Sequence, residues 1–232
     1  MFEIVTIFIG ILPSVIWLFF YLRKDCHPEP NSMVLLMFFL GIFIAPIVVF
    51  IEYYFGKFVL NLSLNDFLKS LITIFLTIAL TEELLKYLAV RLAILKNPEF
   101  DEPIDAMLYL IIVALGFAAA ENIVTLITLD TMRDVAIISI LRFWGATFLH
   151  TLASGVIGYH LALSMRKKFW KSKIFILRGF IIAIIIHGVY NYILIKADNL
   201  VFYIIPVLML LSAFFVLGQI KILKKKLSIC EI

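Results

Sequence analysis

Four stretches of this chain set acid–base groups inside otherwise apolar sequence. LTEELLKYL, residues 80–88, carries Glu82, Glu83 and Lys86. FAAAEN carries Glu121 and Asn122, RFWGATFLHTLAS carries Arg142, His150 and Ser154, and HGVYN carries His187 and Asn191. Helical residues four apart differ by about 40° around the axis. Glu82 therefore shares a face with Lys86, His150 with Ser154 and His187 with Asn191. Three such pairs on different helices read as walls of one pocket. Hydrolysis needs a base for water and donors for the oxyanion, and three glutamates with two histidines can supply both. Chemistry alone does not separate the two glutamates; the expectation takes Glu82 as the base, with Glu83 orienting it or sharing its proton. His187 and His150 donate to the oxyanion or protonate the leaving amine, and Asn191 fixes the tautomer or position of His187. Lys86 and Asn122 are supporting residues, Asn122 mainly as packing glue.

The elements that carry these residues are membrane helices. Of 232 residues 64% are hydrophobic and 16% charged, and the mean hydropathy is +1.11. That leaves too little polar surface for a water-exposed shell, so lipid must solvate most of the surface. The expected fold is an all-α polytopic bundle, one integral-membrane domain over residues 1–232. About seven spans are expected, at residues 4–22, 33–55, 67–95, 104–129, 135–165, 174–195 and 200–223. The first reads as a retained helix, too long and without the basic start of a cleaved leader. SGVIG and GIFIA are small-residue patterns that let helices approach closely. Cys26 and Cys230 match no metal spacing.

A charge near the bilayer centre costs about 2.5–3.5 kcal/mol. Glu82, Glu83, Lys86 and Glu121 left unpaired would cost on the order of 10 kcal/mol, as much as a whole domain's stability. They must face a protein interior or a water-filled cavity and pair there. Fourteen of the twenty lysines and arginines fall on one side of the expected spans and four on the other. The positive-inside rule then puts the N-terminus outside and the C-terminus in the cytoplasm. The basic residues suit anionic lipid, not nucleic acid.

Other chemistries fit less of the pattern. Glu121, His150 and His187 could form a His/His/carboxylate zinc set, but no HExxH is present, and no cofactor is expected. Ser154 with His187 as base would leave three glutamates without a role. An ion- or proton-coupled transporter would also use intramembrane Glu, Lys and His, but no repeat or paired broken helices accompany them.

EELLK, FAAAEN, mid-membrane His150 and HGVYN occur in this order on successive spans. Together with the early DCHPEP loop they resemble the PrsW family of bacterial intramembrane proteases, related to the CAAX prenyl and bacteriocin-processing proteases. The resemblance implies cleavage of a single-span membrane substrate, for PrsW an anti-sigma factor in a stress response. It implies Glu82 and Glu83 as catalytic, His187 as essential, and Glu121 and His150 as completing the site. The chain departs from the CAAX branch at Lys86 and Glu121, where that branch has Arg one position later and His. That departure argues against a prenylated substrate.

Overall fold

The computed structural model describes residues 2–24, 27–94, 97, 100, 102–165, 169–196 and 201–227. Cys26, Cys230, Glu99, Asp101, Lys96, Arg166, Lys167 and Lys168 lie outside them. Among the described residues there is no strand. The elements are α1 (Phe2–Leu22), α2 (Asn31–Leu60), α3 (Asp66–Leu71), a π-helical segment (Ile72–Leu80), α4 (Thr81–Ala93), α5 (Pro103–Leu126), α6 (Met132–Trp144), α7 (Ala146–Met165), α8 (Phe169–Lys196) and α9 (Val201–Leu227).

By length and composition six stretches can cross a membrane: α1, α2, α5, α6 with α7, and most of α8 and α9. The expected third span is the run α3–π–α4, which continues without a break from Asp66 to Ala93. It is less apolar because it carries Lys69, Glu82, Glu83 and Lys86. The expected fifth span, a single long helix, is instead two helices that meet at Gly145. Its φ of −100° and ψ of −100° depart from helical geometry. The Phe143 carbonyl, freed by this break, accepts from Trp17 Nε1 at 3.0 Å. Trp17 also stacks between Phe143 and Phe148, so α1 braces the bend.

α5 is the hub. It is buried on nearly every side from Pro103 to Ala119, enclosed chiefly by α1, α2 and α7. Bulk would hold these helices apart. A Cβ on Gly116 would lie 1.9 Å from the Phe38 carbonyl oxygen, and one on Gly41 would lie 2.1 Å from that of Val113. A Cβ on Gly158 would fall 2.5 Å from Met107 Cα. The small-residue patterns thus do what their spacing implies, bringing α2 and α7 onto α5 backbone to backbone. Outward positions are apolar and exposed, among them Phe8, Phe43, Phe50, Leu210 and Phe214, as lipid contact requires.

Candidate active site

Lys86 is the centre of the polar cluster. Its side chain is fully buried, and its ammonium lies 3.1 Å from Glu82 Oε2 and 2.8 Å from Glu83 Oε1. It also lies 2.9 Å from His150 Nδ1 and 4.3 Å from the centroid of Phe117. The helical spacing makes this possible: positions i+3 and i+4 from the two glutamates put one ammonium between both carboxylates.

The neighbouring elements then close around it. Ser154 donates to Glu83 Oε2 at 2.7 Å, and His187 Nδ1 lies 3.1 Å from Glu83 Oε1. Both oxygens of Glu83 are thereby engaged. A carboxylate only accepts, so His187 carries a proton on Nδ1. His150 Nε2 lies 2.8 Å from Glu121 Oε2, which puts the proton of that ring on Nε2 and leaves Nδ1 to accept from Lys86. His150 is thus committed at both nitrogens. Glu82 is held only through Oε2. Its Oε1 faces His187 Nε2 across 3.8 Å, too far for a direct hydrogen bond.

Glu121 also pairs with Arg142 Nη2 at 3.4 Å. Arg142 Nε donates to Asn122 Oδ1, and Asn122 donates to Thr147 Oγ1 at 3.0 Å. Glu121 and Arg142 have 32% and 20% of their side chains exposed, while those of Glu82, Glu83, Lys86, His150 and His187 are at most 4% exposed. This pair is therefore where the cluster opens.

Two irregularities position the site. The π-helical turn runs directly into Glu82 and Glu83, and such segments recur at functional sites. Its Phe75 lies over Gly188, where a Cβ would come 2.3 Å from the ring. That close approach seats His187, one residue earlier, against Glu83. At the other irregularity, a Cβ on Gly145 would come 2.5 Å from Tyr190 Oη, so the bend fits against α8.

The structure thus gathers Glu82, Glu83, Lys86, His150 and His187, with Glu121 behind His150 and Asn122 behind Arg142. Asn191 is half-buried, and among the described residues it makes no hydrogen bond to His187. Glu83 holds that ring instead. Ser154 faces Glu83 and not the base His187 that a serine nucleophile would need. The alternative zinc set of Glu121, His150 and His187 does not converge as written, because Glu121 sits on the far nitrogen of His150. The donors within 4.8 Å of one another belong to Glu82, Glu83, His150 and His187.

Glu52 is absent from the residues expected at the site, because the expected second span ends at residue 55 and puts this acid near its end. α2 continues to Leu60, so Glu52 lies eight residues inside the helix. The signal was present in FIEYYFGK, where apolar and aromatic residues continue past the acid.

The model of the PrsW family intramembrane metalloproteases matches residues 29–218. The chain is 30% identical over 198 residues to Protease PrsW of Geobacillus kaustophilus, covering 84% of this chain and 81% of that one. It is 30% identical over 204 residues to Protease PrsW of Bacillus subtilis, covering 87% and 88%. With Protease PrsW of Clostridioides difficile the identity is 28% over 193 residues, covering 80% and 77%. No solved structure matches. A buried Glu/His/Lys cluster in a multi-pass helical bundle and matches over most of the chain lead to one assignment: the chain belongs to the PrsW family of intramembrane proteases.

Proposed function

We propose that the protein hydrolyses a peptide bond in a single-span, membrane-bound protein substrate, with Glu82 as base and His187 as oxyanion donor. One observation carries this reading. Glu82 Oε1 and His187 Nε2 face each other across 3.8 Å, while both oxygens of Glu83 and both nitrogens of His150 are engaged. A water seated at the Glu82–His187 gap would reach both edges. Glu82 takes its proton as the oxygen attacks the carbonyl carbon, and passes that proton to the nitrogen as the C–N bond breaks. His187, protonated at both ring nitrogens, donates Nδ1–H to Glu83 and turns Nε2–H toward the developing oxyanion. Lys86, Ser154 and Glu83 are positioning residues, and so is His150, which ties Lys86 to Glu121.

The family's description implies a metal. Two carboxylates and two imidazoles suit zinc by type. Yet the Lys86 ammonium already contacts Glu82, Glu83 and His150 at 3.1, 2.8 and 2.9 Å. An ion at zinc's roughly 2.0–2.2 Å bond lengths to those same atoms would collide with it. With the ammonium in place those three atoms do not fit a metal, and the proposed steps use none.

The substrate is a helix whose carbonyls are tied up in its own hydrogen bonds, so it must unwind before it is cut. The basic side of the bundle is assigned to the cytoplasm, with the N-terminus outside.

The test is purified protein in liposomes with a tagged single-span peptide and a strong chelator. Wild type is expected to cleave. Glu82→Gln is expected to lose about 10²–10⁴-fold in kcat, with its melting curve showing that the variant remains folded at the assay temperature. Undiminished cleavage by Glu82→Gln sinks the assignment, and solute or proton flux without cleavage favours a carrier.

A further inference from the structure

Glu52 is an acid that the proposed mechanism does not use. On α2 it follows Ala45 and Val48 by two helical turns and one, on the same stripe. Those two residues pack on Phe117, with Leu85 and Ala120 against the same group. Phe117 carries the Lys86 ammonium on its ring. One turn beyond this contact, the Glu52 carboxyl comes within electrostatic reach of Glu82, Glu121 and Lys86. Its Oε1 is sealed from solvent and has no hydrogen-bond partner among the described residues. The cluster's cations are engaged elsewhere, Lys86 by Glu82 and Glu83 and Arg142 by Glu121. Half-buried Glu52 therefore presents one sealed carboxylate oxygen near the polar cluster, with no cation paired to it among the described residues.

Hydrolysis of an amide creates the missing cation. Water's oxygen joins the carbonyl carbon, and the C–N bond breaks. The nitrogen leaves as an amine, taking one of water's protons by way of Glu82. The new carboxylic acid then gives its proton to that amine, leaving a carboxylate and a primary ammonium. In a lipid-surrounded site an ammonium needs a counter-charge. We propose that Glu52 is a catalytic residue that receives the leaving nitrogen, accepting its N–H as the bond breaks and pairing with the ammonium formed.

This inference rests on the proposed hydrolysis, and the test separates the two. A synthetic single-span peptide is reconstituted with full-length protein, carrying at the cut site either the amide or an ester of the same sequence. The ester leaves as an alcohol and forms no ammonium. Glu52→Gln is expected to slow the amide at least about tenfold, the size of a lost charge-assisted hydrogen bond. It should leave the ester within about twofold of wild type. Ester turnover is itself the control for folding. Glu52→Asp is the second variant if the glutamine form does not accumulate, and displacing the charge by one methylene should slow the amide and spare the ester in the same sense. Equal loss on both substrates, or loss on neither, overturns the role of Glu52. A wild type that cleaves neither sinks the protease reading itself.

Discussion

At the scale of single residues, the site is ordered by which atoms are already engaged. Ser154 gives its hydroxyl hydrogen to Glu83 at 2.7 Å, so its role is to hold a carboxylate. Ser154→Ala leaves a buried carboxylate oxygen without its donor, a loss of about 1.5–3 kcal/mol. The expected outcome is a lower unfolding temperature and roughly tenfold slower cleavage, not the roughly 10⁶-fold loss of a missing nucleophile. Parallel melting curves and turnover on one reconstituted substrate check both. The pattern of Glu82, Glu83 and Lys86 was legible in the sequence because three ionisable groups cannot lie in lipid unpaired. The separation of Glu82 from Glu83 was not legible, because it depends on Ser154 and His187 arriving from α7 and α8.

At the scale of elements, departures from regular helix place the side chains. The break at Gly145 lets Arg142 reach Glu121 and Asn122 from α6 while His150 reaches Glu121 from α7. Gly145→Ala puts a methyl 2.5 Å from the Tyr190 hydroxyl, an overpacking cost of about 1–3 kcal/mol. The double change with Tyr190→Phe removes that oxygen and is expected to recover part of the loss. Thermal unfolding of the four members of the cycle measures the coupling. Hydropathy had read residues 135–165 as one span because apolar composition continues through the bend. A glycine within an apolar run does not by itself announce a break, and here the Trp17 indole stabilises one. The π-helical turn was equally hidden, since ITIFLTIAL has the composition of any membrane helix.

At the scale of the molecule, polar chemistry lies inside and apolar surface outside, with α5 as the axis. Six stretches are apolar enough to cross a membrane, and the run from Asp66 to Ala93 that carries the glutamates is the expected seventh. If that run crosses, the two ends of the chain lie on opposite faces. Tags at the two termini probed from outside spheroplasts are expected to show the N-terminal tag accessible and the C-terminal one protected. Both tags on one face would mean that the charged run does not span.

The sequence determined that the chain lies in lipid, that it is helical, and which ionisable residues had to find partners. Those follow from composition, period and the cost of bare charge, all local properties. Tertiary structure decided which partner each group received. Lys86 sits on His150, Glu83 on His187, and Asn191 stands apart. These contacts join residues as far as 104 positions apart, and they depend on glycine-sized approaches and helix irregularities that no single segment encodes.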